Sequence, residues 1–140
     1  MTIKVHELMT SPVVTTQPHK SIAHVREILE TNHIGAVAVI DTEGHPVGIA
    51  SATDLAADLP GGAPVSSIMS EKVYTVPQYE EVSVAARVMR NHRIHRVVVT
   101  HEHAVIGMLS AFDLLRLVED HRFVMKNAPT PSRRKAARRA

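Results

Sequence analysis

Cysteine and tryptophan are absent from this 140-residue chain, and only four aromatic residues occur in it. Without cysteine, a disulfide framework, a zinc ribbon and a thiol nucleophile are excluded. Four aromatic rings are too few for a base-stacking platform that binds single-stranded nucleic acid. No apolar run approaches the roughly 18 to 20 residues of a membrane span, and Lys4, His6 and Glu7 argue against a signal peptide. We therefore expect a soluble, cytoplasmic protein without a membrane span.

Basic charge is concentrated at the end of the chain. The last eight positions contain no acidic residue and five basic ones: Arg133, Arg134, Lys135, Arg138 and Arg139. The remainder of the chain has more acidic than basic residues, so the high pI belongs to this end alone. Residues 125–140 are predicted to form a basic, flexible tail. Such a tail could bind nucleic acid phosphates, an acidic membrane surface or an acidic partner, or simply increase solubility.

Most of the chain repeats itself. At an offset of 60 positions Met9-Thr10 aligns with Met69-Ser70 and Ile34 with Ile94. After the next turn the offset is 59, and residues 48–55 align with residues 107–114. A period near 60 is typical of two copies of a small α/β unit. We predict one unit at 1–60 and a second at 65–124, joined around residues 60–64.

Each unit is predicted to contain a helix, a hairpin and a second helix. Ile22, Val25, Ile28 and Leu29 form a helical stripe that Ser21 could cap. The apolar run 36–40, a turn at 41–44 and a second strand from residue 46 follow, and a second helix opens at 51. A 60-residue unit buries too little surface alone, so the copies should pack face to face on their strands.

This repeated set resembles the cystathionine-β-synthase (CBS) domain, and two tandem copies resemble the Bateman module. The likeness covers roughly residues 5–122 and rests on VHELMT at 5–10, Thr15, HRIHRVVV at 92–99 and VIGMLSAFDL at 105–114. It implies an α/β (α+β) fold of two βαββα units packed across their sheets in pseudo-twofold symmetry. It also implies a homodimer, often a disc of four CBS units, that regulates an unidentified protein. The implied ligand is AMP, ADP, ATP or S-adenosylmethionine, with no other cofactor.

The resemblance implies two ligand pockets in the cleft between the repeats. The first is predicted from these residues: Ser51, Thr53, Asp54, His95, Arg96, Thr15, Thr16 and Ile34. The second is predicted from these: Thr75, Val76, Ile94, Ser110 and Asp113. The aspartates would bind ribose hydroxyls, and the loop threonines would lie against adenine. Since the guanidinium of Arg96 suits phosphate, we expect His95 and Arg96 to cross to the first pocket. The second pocket would then face Gly35 and Ala36.

The same residues also have purely structural explanations. Ser51-x-x-Asp54 and Ser110-x-x-Asp113 are capping boxes with Asp in place of Glu. Arg96 could be a solvated charge beside a strand, and the threonines could serve turns.

The sequence favours binding over catalysis. Ten histidines occur, but no pair lies at i, i+4 on one clear helix face, so we predict no metal site. No nucleophile elbow, P-loop or dinucleotide fingerprint is present, so we predict no enzyme. Three functions stay open: an adenosyl-binding regulatory module, a ligand-free dimerisation scaffold, and a nucleic-acid-associated protein acting through its tail.

Overall fold

The computed structural model describes residues 2–56 and 59–121, and the predicted tail at 125–140 lies outside them. It confirms the predicted fold class, two consecutive βαββα units. The first unit contains β1 (Thr15–Thr16), α1 (Ile22–Asn32), β2 (Ala36–Ile40), β3 (Pro46–Ser51) and α2 (Ala52–Leu55). The second contains β4 (Thr75–Pro77), α3 (Val82–His92), β5 (Arg96–His101), β6 (Ala104–Ser110) and α4 (Ala111–Glu119). In the described part of the chain, no helix is long and apolar enough to cross a membrane.

The two units have matching sheets. In each, the first strand pairs parallel with the second, and the second pairs antiparallel with the third. Thr15 pairs with Ala38 and Thr75 with Val98, so the predicted loops before α1 and α3 are short strands instead. Their backbone groups form hydrogen bonds with the N–H and C=O groups along one edge of the central strands β2 and β5, which are buried and need such partners.

The predicted helices and hairpins are confirmed. The hydroxyl of Ser21 accepts a hydrogen bond from the His24 N–H at 3.1 Å and caps α1, whose Ile22, Val25 and Leu29 are buried. The equivalent face of α3 buries Val82, Ala85 and Met89. The hairpins place apolar strands against these faces, because alternate residues of β2 and β5 point toward the helices.

Each hydrophobic core contains side chains from the segment that precedes the other repeat. We call residues 2–10 and 62–70 the leading segments. Val5 and Leu8, from the first leading segment, belong to the core of the second unit. Val65, from the second leading segment, belongs to the core of the first unit. The leading segments are therefore exchanged between the two units.

Backbone hydrogen bonds fix this exchange. The N–H of Val82 at the start of α3 donates to the Ile3 carbonyl at 2.8 Å, and the N–H of Ile22 at the start of α1 donates to the Ala63 carbonyl at 2.8 Å. The first N–H groups of a helix have no partner within the helix. Each leading segment therefore supplies acceptors that the opposite helix needs.

A methionine of each leading segment packs on a glycine of the opposite sheet. Met9 lies on Gly107 in β6, and Met69 lies on Gly48 in β3. A Cβ on Gly107 would be 2.6 Å from the sulfur of Met9, and one on Gly48 would be 2.5 Å from the sulfur of Met69. These glycines are needed because any side chain would occupy the space of the methionine.

The remaining faces of the two sheets are also covered. Ala38 in β2 and Val98 in β5 are completely buried, although they belong to neither of the cores that contain α1 and α3. Strand β2 contacts β6 of the other unit. Because successive strand residues point to opposite faces, we infer that the two sheets face each other, as the repeat predicted.

We expect Gly48→Ala and Gly107→Ala each to lower the free energy of unfolding by about 1–3 kcal/mol, because the new methyl group displaces a methionine. Urea unfolding monitored by circular dichroism measures the change. Gly62→Ala is the matched control, since a Cβ there would meet nothing within 4 Å. Equal stability of all three variants would contradict the exchange of leading segments.

Candidate functional site

A cavity of about 690 Å³ lies between the two units, at the end of the sheets where α4 begins. Both repeats and the loop before β1 contribute to its wall. The lining residues are Thr10, Val13, Val14, His33, Ile34, Gly35, Ala36, His95, Arg96, Met108, Ser110, Ala111, Phe112, Asp113 and Leu115. Its volume is within the 300–1,000 Å³ that small-molecule sites typically have.

The capping box of α4 forms one side of the cavity. The Asp113 N–H donates to the Ser110 hydroxyl at 3.1 Å, and the Ser110 N–H donates to the Asp113 carboxylate at 2.8 Å. The box confirms the structural explanation given to this motif. An ionised carboxylate can accept about four hydrogen bonds. The Asp113 carboxylate, which lines the cavity, can therefore accept further hydrogen bonds besides that from the Ser110 N–H.

Arg96 and His95 reach this box through the local hydrogen bonding of the second unit. Arg96 is the cross-strand partner of Ser110, and the His95 carbonyl accepts a hydrogen bond from the Ala111 N–H at 2.8 Å. The side chain of Arg96 also extends over Gly35 of the first unit. Its Nη2 atom would be 2.7 Å from a Cβ on Gly35, so a residue with a side chain at that position would displace the guanidinium.

This arrangement differs from the predicted distribution of charge between the pockets. His95 and Arg96 line the same cavity as Ser110 and Asp113, and Gly35 and Ala36 line it as well. The prediction had placed the two basic residues with Ser51 and Asp54. The antiparallel register of β5 and β6 holds the Arg96 backbone beside Ser110, while its guanidinium crosses to Gly35, whose carbonyl accepts a hydrogen bond from the Ala52 N–H.

The other box, at the start of α2, is formed but does not line this cavity. The Asp54 carboxylate accepts hydrogen bonds from the Ser51 N–H at 3.0 Å and the Ser51 hydroxyl at 2.9 Å. Thr53 is exposed beside it. The guanidinium of Arg26 in α1 donates twice to the Leu55 carbonyl, at 2.7 and 3.0 Å. It stabilises the end of α2, a contact that the sequence analysis missed.

The other predicted binding residues are distributed between cavity and core. Ile34 lines the cavity, whereas Thr15, Thr75 and Val76 lie in β1 and β4 outside its lining, and Ile94 packs against the core of the second unit. Thr16 also lies in β1 and is 6% exposed. Within the described residues its hydroxyl oxygen has no hydrogen-bond partner.

Several lining residues were not predicted from the sequence, namely Thr10, Val13, Val14, His33, Met108, Phe112 and Leu115. Thr10 reaches the site because its N–H donates to the Met108 carbonyl at 2.8 Å when the first leading segment docks on β6. The parallel between Met9-Thr10 and Met69-Ser70 was visible in the sequence. It indicated equivalence of the two segments, but not the surface to which each docks.

The histidines outside the cavity are spread over helices, hairpins and loops, with His24 in α1 and His92 at the end of α3. Among the described residues, no three His, Asp or Glu side chains are arranged to hold a metal ion. The rings of His45 and His103, one from each hairpin, are 6.4 Å apart.

The turn of the first hairpin is held by the Asp41 carboxylate. It accepts hydrogen bonds from the backbone N–H groups of His45 and Glu43, each at 2.9 Å, and these lower the pKa of Asp41 below its ordinary value.

Comparison with known proteins identifies relatives of the whole repeat. The sequence profile of the CBS domain matches residues 5–61 and 65–120. An uncharacterized protein of Methanocaldococcus jannaschii is 30% identical over 135 residues, which are 84% of this chain and 32% of that protein. The chain thus spans about a third of that relative.

Solved structures of CBS domain pairs match closely. One, crystallised with 5′-methylthioadenosine and S-adenosyl-L-methionine, has a TM-score of 0.80 and 26% identity, covering 86% of this chain and 99% of that one. A CBS domain protein from Pyrobaculum aerophilum, in complex with AMP, has a TM-score of 0.75 and 29% identity, covering 86% and 100%.

We expect Ser51→Ala and Ser110→Ala each to lower the free energy of unfolding by about 1 kcal/mol, because each removes the acceptor for an unpaired N–H at a helix start. Ser83→Ala in α3 is the control, since its exposed hydroxyl makes only a 3.4 Å contact with Glu81. Chemical denaturation compares the three. A loss for Ser83→Ala as large as for the other two would contradict the capping role.

Proposed function

The chain belongs to the CBS domain family as a tandem pair, and on this basis we propose that it is a regulatory module that binds an adenosyl ligand in the cavity beside α4. The observation that carries the proposal is the convergence of Arg96, His95 and the Ser110–Asp113 box on one cavity of about 690 Å³. The Ser110–Asp113 box also caps α4, but a scaffold without a ligand has no need to place Arg96 and His95 beside that cap on the wall of a cavity.

The chemistry of the lining suits each part of a nucleotide. Val13, Val14 and Ile34 offer apolar surface for a purine. Asp113 can accept hydrogen bonds from vicinal ribose hydroxyls. Arg96 supplies a permanently charged fork for phosphate at the start of a helix, where anions are also favoured.

The hydrogen-bond donors around the cavity suit an anionic ligand. Arg96 is a permanent cation with a forked set of N–H donors, and the imidazoles of His95 and His33 offer further N–H groups. Asp113 is the single acidic side chain among the lining residues. We therefore place AMP, ADP or ATP ahead of S-adenosylmethionine, whose sulfonium group is positive. Related CBS pairs in complex with AMP, and with 5′-methylthioadenosine and S-adenosyl-L-methionine, support the adenosyl class as a whole.

The nucleotide is proposed as a regulatory ligand and not as a substrate or catalytic cofactor. The serines that might act as nucleophiles, Ser51 and Ser110, serve the capping boxes. The predicted first pocket, with Ser51, Thr53, Asp54 and the buried Thr16 hydroxyl, stays a candidate for a second molecule. The regulated protein is unidentified, and the tail, with its possible affinity for nucleic acid, lies outside the described residues.

We also propose that two chains associate through α4. Phe112, Leu115 and Val118 on this helix are 78%, 58% and 60% exposed, at a spacing of three residues. Such a contiguous apolar stripe is unfavourable in water and typical of an interface. The stripe is symmetric about Leu115, so an antiparallel pair of α4 helices related by a two-fold axis would bring Phe112 of each chain against Val118 of the other.

The ligand proposal predicts a pattern over three variants. Arg96→Ala should weaken AMP binding about 10- to 150-fold, because a charge-assisted hydrogen bond contributes about 1.5–3 kcal/mol, and should change adenosine binding little. Asp113→Ala should weaken AMP and adenosine alike through the shared ribose. Asp54→Ala is the matched control, because it removes the same kind of helix cap without touching the cavity. Isothermal titration calorimetry gives each affinity.

The same titrations can contradict the proposal. Saturating AMP at 100 times its Kd should add about 2.7 kcal/mol to the free energy of unfolding. If no adenosyl ligand at millimolar concentration binds or stabilises the protein, the regulatory ligand is of another class. Equal loss of AMP affinity in Asp54→Ala and Asp113→Ala would contradict the assignment of AMP to the cavity beside α4 and would give the Asp54 pocket an equal share in binding.

The dimer proposal predicts that the unaltered chain has a mass about twice 15.4 kDa at tens of micromolar. Val118→Asp places a charge opposite Phe112 of the other chain and should return the monomer mass in light scattering. Tyr79→Ser is the control, since this 63% exposed side chain lies beside His6 and His101 and does not belong to the α4 stripe. A monomer mass for the unaltered chain would remove the claim.

A further inference from the structure

We propose that Met9 is a site of oxidative modification that controls the ligand cavity. Conversion of its thioether to the sulfoxide by a peroxide would separate the first leading segment from β6 and weaken ligand binding. The undocking follows from the fold alone, whereas its effect on affinity rests on the proposed function. Met9 is not among the lining residues, so its influence on the cavity is indirect.

The sulfur of Met9 has little space on the side of the sheet. It packs so closely on Gly107 that a Cβ there would be 2.6 Å from the sulfur and 3.1 Å from the Thr10 carbonyl oxygen. The surface beneath it is therefore backbone, which cannot move aside like a flexible side chain. Met9 itself is only partly buried at the margin of the core of the second unit, so a molecule as small as hydrogen peroxide can reach it.

The chemistry needs no other group of the protein. A sulfur lone pair attacks one peroxide oxygen, the O–O bond breaks, and the products are methionine sulfoxide and water. Sulfur is oxidised by two electrons and the peroxide is reduced by two. The product is polar and carries an additional oxygen. That oxygen can be solvated only on the outer side of Met9, and the bulkier, polar sulfoxide is unfavourable in the tight contact with Gly107.

Docking of Met9 and the shape of the cavity are linked through the next residue. The Thr10 N–H donates to the Met108 carbonyl at 2.8 Å, and the Met108 N–H donates to the Thr10 carbonyl at 3.4 Å. Thr10 and Met108 both line the cavity. If Met9 leaves Gly107, this pair of hydrogen bonds loses its adjacent anchor, and two parts of the wall separate.

The pseudo-symmetry of the fold provides an internal control. Met69 packs on Gly48 with the same closeness, and Ser70 pairs with Ile49 through hydrogen bonds of 2.8 and 2.9 Å. Neither Ser70 nor Ile49 lines the cavity. Oxidation of Met69 should therefore undock the second leading segment and reduce stability, but leave the ligand cavity intact.

The experiment compares Met9→Leu with Met69→Leu before and after treatment with hydrogen peroxide. Leucine has nearly the volume of methionine and is well tolerated in its place, and it resists oxidation. Peptide mass spectrometry locates the sulfoxides. We expect peroxide to raise the Kd for AMP at least about tenfold in Met69→Leu, which keeps Met9, and to leave it unchanged in Met9→Leu. Tenfold corresponds to about 1.4 kcal/mol.

The outcomes separate this inference from the proposed function. Loss of affinity in peroxide-treated Met9→Leu would overturn it and assign the effect to another methionine, such as Met108. Unchanged affinity in Met69→Leu with Met9 fully oxidised would also overturn it. If untreated protein binds no adenosyl ligand, the proposed function fails, and amide exchange then tests the undocking itself. Faster exchange at Thr10 and Met108 after oxidation of Met9 would support the undocking, and unchanged exchange would refute it.

Discussion

Neither unit completes a hydrophobic core with its own βαββα residues, and the other features of the molecule depend on this constraint. A unit of about 60 residues buries too small a fraction of its surface to be stable alone. The chain resolves this by exchange, since Val5 and Leu8 enter the core of the second unit and Val65 enters the core of the first. Because each leading segment also accepts hydrogen bonds from the start of the opposite helix, separating the two units removes part of each core and the partners of each helix start. The two units should therefore unfold together.

The position of the cavity follows from the exchange. Docking of the first leading segment brings Thr10 to β6 and carries Val13 and Val14 to the end of the sheets, where α4 begins. There the chain of the second unit already places Arg96 beside Ser110. A capping box is ordinarily a device for helix stability. Beside an apolar cavity and a guanidinium, the same box can also receive a ribose, so its structural and proposed functional roles are compatible.

Differences between the repeats explain why the two boxes have different surroundings. The second unit has His95 and Arg96 where the first has Gly35 and Ala36. The small residues leave space that the Arg96 side chain fills from the other unit. In the first unit Arg26 fixes the end of α2, whereas its counterpart in the second unit is Ala86. Helix α4 instead carries an exposed apolar stripe, which suits contact with a second chain.

The sequence by itself determined the local structure and the repeat. Hydrophobic periodicity, the Ser21 cap, the hairpin turns and the two Ser-x-x-Asp boxes all act over fewer than ten residues, so the pattern was sufficient to predict them. The repeat, with its resemblance to CBS domains, also indicated the pairing of two units. Only the tertiary structure decided which box shares a cavity with Arg96, and that Thr10 and Met108 complete the wall. Thr10 and Met108 are about 100 positions apart and Arg96 and Gly35 about 60, whereas Arg96 and Ser110 are brought together by the register of one hairpin. Two pseudo-symmetric repeats offer two nearly equivalent partners for each segment, and sequence similarity cannot choose between them. Three-dimensional packing makes the choice, since Val5, Leu8 and Met9 dock on the second unit, and Val65 and Met69 dock on the first.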